Sequence, residues 1–323
     1  ELVWRGVSGV LDLARGLPLR EDSIFRLYSM TKPVTAVALL MLMEEGLVGL
    51  DDPLSRFIPG FADLGVYAGG SMGSFQTTPA PRAVKVVDVL RHTAGFTYGF
   101  LNRTEVDAAY RAQRVGEANT EGGLTAMIAQ LEKLPLEFAP GEMWNYSVST
   151  DVVGYLVEKL SGQKLSDFFR TRIFTPLAMH DTDFMVPAAK RDRLSTCYYV
   201  KDGKLLVFDD GQHSTYAQPP LLESGGGGLA GTAKDYLRFC RMLLNGGELD
   251  GARLLSPKTV ALMTMNHLPG GRTMTEMMPL TTAFSESGYA GVGYGLGVGV
   301  TENVVATGLP GTKGEYSWGG AAG

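Results

Sequence analysis

The chain has 323 residues, with 34 acidic and 29 basic side chains for a formal net charge of −5, and 42 glycines in an otherwise ordinary globular composition. That length holds one large domain or two interleaved ones around a real core, and an acidic balance without a basic stripe excludes a nucleic-acid binder. Cys197 and Cys240 are the whole cysteine complement, which excludes a disulfide framework and a C-x-x-C motif; both are expected as buried thiols.

Residues 1 to 28 read as strand, turn and strand: Leu2-Val3-Trp4 is β-prone, Gly16 and Pro18 punctuate, and Ile24 to Tyr28 leads into Ser29-Met30-Thr31-Lys32-Pro33. Pro33 cannot sit deep in a helix, so a helix through the apolar run Val34 to Met43 begins about one turn before it. That run is far short of a membrane span. The helix ends near Gly46, a C-terminal cap. Residues 60 to 82 read as a glycine- and proline-rich loop. Within it Gly69-Gly70-Ser71-Met72-Gly73 matches G-x-S-x-G, but that nucleophile elbow needs a strand before it and a helix after it, whereas Ser74 to Pro81 cannot start a helix and the surrounding text shows no alternation of strands and helices.

From 85 to 180 the pattern is mainly helical, with helices expected over Val86 to His92, Glu105 to Arg114, Glu121 to Leu134, Thr150 to Leu160 and Leu165 to Phe174. Tyr198-Tyr199-Val200 and Leu205-Leu206-Val207 predict a hairpin turning at Asp202-Gly203. Gly225-Gly226-Gly227-Gly228 lacks the G-K-[ST] ending of a phosphate loop and reads as a close-approach turn. Thr232 opens a helix over 233 to 244 and Ser256-Pro257 one to about His267. The period-two alternation Gly293 to Val300 predicts a strand, followed by strands at Val304-Val305-Ala306 and Glu315 to Trp318.

The chemistry concentrates at the mouth of the first long helix. If residues 29 to 32 form its first turn, the Ser29 hydroxyl and Lys32 amine share a face with Cβ atoms roughly 5–6 Å apart. Unpaired N–H groups and the helix dipole there stabilise an anion. Alone, S-x-x-K is too common to carry chemistry and reads first as an ordinary turn in which Ser29 caps and Lys32 is solvated. Two further pieces, Tyr146-Ser147-Val148 and Trp318-Gly319-Gly320, complete a set in the order and spacing of the serine β-lactamase and penicillin-binding-protein motifs. The text between them resembles the class C β-lactamase-like proteins, most closely the family VIII carboxylesterases.

The resemblance implies an α/β plus all-α fold of β-lactamase/transpeptidase type, an antiparallel sheet flanked by helices with an inserted helical domain. Residues 1–60 and 225–323 are expected as the α/β domain and 61–224 as the helical one. It implies further strands and helices beyond both ends of this text, with any targeting sequence before position 1; bacterial cytoplasm is the expected compartment. By resemblance Tyr146 takes the proton from Ser29, and the N–H groups of Ser29 and Ala321 form the oxyanion hole. Trp318, Gly319 and Gly320 would receive substrate along the strand edge, with Val148 as a further binding position. Whether Lys32 or Tyr146 is the base stays open, since a coupled pair shares its protons; a plain reading of Tyr146 is a hydrogen-bonded core tyrosine.

Two departures bear on substrate. Trp318 replaces the lysine of K-T-G, and Val148 replaces the amide of Y-x-N, which removes partners for a charged β-lactam or peptide and favours uncharged esters. The leading expectation is a serine carboxylesterase for short acyl groups. The alternatives are a β-lactamase or D-amino-acid peptidase, an acyltransferase with the same nucleophile, and a binding protein that keeps the fold without chemistry. His92 is expected to be structural, and His180, His213 and His267 to be surface residues. No metal or cofactor is implied, and the expected partner is a small-molecule ester.

Overall fold

Every residue from Thr31 to Leu42 of the helix Thr31–Glu44 is buried, so this helix is covered on all sides and draws the rest of the chain around it. The computed structural model describes residues 3–278 and 288–322; Glu1 and Leu2 of the expected opening strand lie outside them. In chain order come β1 (Val10–Asp12), β2 (Leu17–Pro18), β3 (Ile24–Arg26), α1 (Thr31–Glu44), β4 (Gly65–Gly69), β5 (Gln76–Pro79), α2 (Val86–Leu90), α3 (Glu105–Gln113), α4 (Gly123–Leu131), α5 (Ser149–Ser161) and α6 (Leu165–Phe169). There follow β6 (Cys197–Lys201), β7 (Lys204–Asp209), β8 (Ala230–Thr232), α7 (Ala233–Leu244), β9 (Glu248–Leu249), β10 (Ala252–Arg253), α8 (Pro257–Met263), α9 (Met274–Met277), β11 (Val292–Tyr294), β12 (Gly299–Thr301), α10 (Val304–Thr307) and β13 (Tyr316–Ser317).

The described ladders are antiparallel. β3 pairs with β8, Ile24 opposite Thr232 and Arg26 opposite Ala230, and β12 is flanked by β11 and β13. One apolar cluster runs from Leu27 and α1 through α2 to α6 and on to Val298 and Val300, and α1 packs directly on α5. This is the expected helix-flanked antiparallel architecture. No described helix is long and apolar enough to cross a membrane.

The departures from expectation are local and have local causes. Gly293 to Val300 is not one strand but a hairpin: Val292 faces Thr301, Tyr294 faces Gly299, and Gly295 N–H bonds Val298 C=O at 2.8 Å. Gly297 has φ of 87°, and a Cβ there would lie 2.6 Å from that of Ala36. The glycines let this turn press onto α1. Val304 to Ala306 is helical because the Asn303 side chain accepts from Ala306 N–H, an N-cap signal. The 60–82 segment contains the β4–β5 hairpin, anchored by Tyr67 N–H on Leu136 C=O and Leu136 N–H on Gly65 C=O. Residues 3–8 carry no strand, the helix after Ser256 stops at Met263, and Cys240 sits exposed on α7 while Cys197 is half-buried. His267 is likewise half-buried, bonded to Leu262 C=O.

Candidate active site

Ser29 stands on a single 3-10 turn, Tyr28–Met30, that runs straight into α1 with Pro33 at its third position. Tyr28 is held at φ of 44°, a left-handed conformation that costs a non-glycine residue about 1–3 kcal/mol. Three bonds oppose that cost by fixing the turn: Leu27 N–H to Leu229 C=O at 2.8 Å, Met30 N–H to Leu27 C=O at 3.0 Å, and Tyr236 OH to Met30 C=O at 2.9 Å.

Lys32 is 1% exposed, and a buried ammonium is tolerated only when its donors are taken. Nζ donates to Ser29 Oγ at 3.3 Å, Tyr98 OH at 3.2 Å and Gly226 C=O at 2.7 Å, and lies 4.4 Å from the centre of the Tyr146 ring. The Tyr146 hydroxyl is 2.5 Å from Ser29 Oγ, and Trp318 Nε1–H donates to that same hydroxyl at 3.2 Å. Side chains from three distant parts of the sequence, Ser29 with Lys32, Tyr146 and Trp318, thus converge on one oxygen pair.

The loop carrying Tyr146 is clamped to the segment after α2. Gly141 N–H bonds Thr93 C=O, Asn145 N–H bonds His92 C=O, and Val148 N–H bonds Thr97 C=O. Asn145 Nδ2 reaches Phe96 C=O and Glu137 besides. His92 is buried, its Nδ1 3.2 Å from Ser147 Oγ and its ring 5.1 Å from that of Tyr146. Burial, and then the charge of Lys32, hold the His92 imidazole well below its ordinary 6.5.

The unfolded chain takes up a proton at His92 near 6.5 while the folded one refuses it, so stability present above that value is lost as pH falls below it. Urea midpoints are expected to drop from about pH 7 to about pH 5, and His92→Asn to remove part of that slope. An unchanged slope in the variant would assign the pH dependence elsewhere.

The remaining expected residues divide. Ser29, Tyr146, Trp318, Gly319, Gly320 and Ala321 all line one cleft of about 1040 Å³. At Gly320 a Cβ would lie 2.6 Å from Leu27 C=O, which brings this stretch against the Ser29 turn; Gly319 has open space. Val148 does not belong to the cleft: it caps α5, is fully buried and packs under Gly116, so its side chain cannot meet a ligand there. Ser71 is an exposed residue at the tip of the β4–β5 hairpin.

Sequence reasoning missed three members of the constellation. Tyr98 and the Gly226 carbonyl hold Lys32, and Asp151 accepts from Ser224 Oγ and Gly226 N–H. The glycine run 225–228 was the available signal: Cβ atoms on Gly225, Gly226 and Gly228 would fall within 3 Å of Thr150 C=O, Asp151 Oδ2 and the Phe184 ring.

A model of the beta-lactamase family matches residues 1–323. The chain belongs to the beta-lactamase family. Among relatives of this beta-lactamase-family protein, Protein Rv1367c of Mycobacterium tuberculosis is 35% identical over 98% of this chain and 76% of its own. Esterase EstB of Burkholderia gladioli is 29% identical over 100% of this chain and 78% of its own. A solved structure described as EstCE1, a hydrolase with promiscuous acyltransferase activity, superposes with a TM-score of 0.75 at 25% identity, covering 97% of this chain and 78% of that one. The resemblance to the esterase-like branch of the family read from the three motifs agrees with these relatives.

Proposed function

We propose that this protein is a carboxylesterase of the S-x-x-K type, acting through an acyl-serine. Ser29 Oγ attacks the ester carbonyl carbon while its proton passes to the Tyr146–Lys32 pair; the tetrahedral oxyanion rests on the N–H groups of Ser29 and Ala321. Collapse of the intermediate expels the alcohol, which takes the proton back. Water activated by the same pair then releases the acid. The observation that carries this reading is the short contact of Tyr146 OH with Ser29 Oγ, beside the Lys32 ammonium.

Trp318, Gly319 and Gly320 border the substrate in this scheme. No lysine or arginine occurs among the described residues lining the cleft, and the indole of Trp318 stacks on Tyr289 at 6.0 Å. That lining supports neutral esters over carboxylate-bearing β-lactams or peptides. We expect p-nitrophenyl butyrate to be turned over with kcat/KM about 10²-fold or more above nitrocefin, the range of a lost desolvated charge partner. Equal turnover of the two would favour the β-lactamase reading.

Acyl transfer is a second reading, supported by the EstCE1 neighbour and by a cleft with room for an alcohol beside the acyl group; it would show as faster acyl-serine breakdown when an alcohol is added. Short acyl groups and a bacterial cytoplasmic site of action belong to the proposal. So does the division into 1–60 with 225–323 and 61–224, since the cleft is lined from both sets.

A further inference from the structure

Asp151 is a carboxylate among valines. It lies in the first turn of α5, followed by the fully buried Val152 and Val153, and is itself 1% exposed. A buried carboxylate is costly unless its oxygens are occupied. Oδ1 accepts from Ser224 Oγ at 2.5 Å and from Gly226 N–H at 3.1 Å. Both donors belong to the glycine turn, and the carbonyl of that same Gly226 takes the shortest of the three Lys32 hydrogen bonds. One residue therefore joins carboxylate and ammonium, its N–H on the first and its C=O on the second. The fit around it is tight, because a Cβ at 226 would lie 2.6 Å from Asp151 Oδ2 and 3.1 Å from Tyr98 OH.

Building on the hydrolase reading above, we infer that Asp151 is a positioning residue: through Ser224 and Gly226 it fixes the carbonyl that seats Lys32, and it supplies the buried counter-charge to that ammonium. The groups facing it are Lys32 from α1 and Tyr98 from the segment after α2, with Tyr146 beyond Tyr98 on the same cleft wall. Glu223, next along the turn, is engaged instead with Ser166. Burial pushes the Asp151 carboxyl above its ordinary range, opposed by the Ser224 hydrogen bond and the Lys32 charge.

A negative charge here favours the protonated form of the Lys32–Tyr146 pair, whichever member releases the proton. Asp151→Asn is therefore expected to move the acid limb of kcat/KM for p-nitrophenyl butyrate to lower pH by about one unit. Ser224→Ala cuts the tether, so kcat falls about threefold to tenfold, and by removing a hydrogen bond that favours the ionised carboxyl it moves the limb, if at all, in the same direction as Asp151→Asn. The same limb is read without turnover from the pH dependence of Ser29 labelling by a fluorophosphonate, in which the Ser29 Oγ–P bond forms and fluoride leaves. Asp151→Ser, also uncharged, gives the same shift and serves if the Asn variant does not fold.

An uncharged variant that keeps the parent limb in both assays overturns the inference, as does Ser224→Ala with parent-like kcat. A parent chain that neither turns over the ester nor labels at Ser29 would instead overturn the hydrolase reading. The two failures are thus distinguishable.

Discussion

Ser29→Ala is expected to lower kcat for p-nitrophenyl butyrate by about 10⁴ or more, the scale of removing a nucleophile that works with its base as a unit. The substitution removes one oxygen from a half-buried turn whose backbone is held by Leu229, Leu27 and Tyr236, so the fold should survive and the melting temperature should move little. What is lost is the atom that Lys32 Nζ and Tyr146 OH both reach. Ser71→Ala is the matched control: it changes an exposed hairpin tip and should leave turnover and fluorophosphonate labelling intact. Parent-like turnover in Ser29→Ala, or an adduct mapped to Ser71, would remove the nucleophile from the proposed mechanism.

Tyr146→Phe should cost about 10²–10⁴ in kcat, the span of general acid–base catalysis. The ring itself is held by His92, Tyr98, Trp144 and Trp318, whose ring centres lie 5.1 to 6.2 Å away, so the variant keeps its packing and loses only the hydroxyl between Ser29 and Trp318. Trp318→Phe removes one neutral donor to that hydroxyl, which is expected to cost about tenfold at most. The ordering of the two variants is the informative result. If Tyr146→Phe stays within a few-fold of the parent while Trp318→Phe does not, the phenol is structural and Lys32 acts without it.

The residues legible in the sequence were those whose neighbours are set by a local period. Ser29 and Lys32 are three apart at a proline-marked helix start, and the helix geometry by itself puts them side by side. The same holds for α2 to α7, predicted within a few residues of their observed bounds, with α6 passing into a π-helix over Arg170–Phe174. Where the local pattern had two solutions, the reading failed. Alternation over Gly293 to Val300 suits a strand and also a glycine-turned hairpin, and contact with Ala36 on α1 goes with the second.

By itself, then, the sequence determined the Ser29–Lys32 turn and the buried helix behind it, because each follows from spacing and residue type along a short stretch, while the family came from a resemblance carried by three widely separated motifs. Only the tertiary structure decided that Tyr146 meets Ser29 across 117 residues, that a glycine carbonyl 194 residues away seats Lys32, and that Val148 turns into the core instead of the cleft. Contacts of that span depend on how α1, α5 and the 224–228 turn pack together, and packing is a property of shapes in three dimensions that no local period encodes.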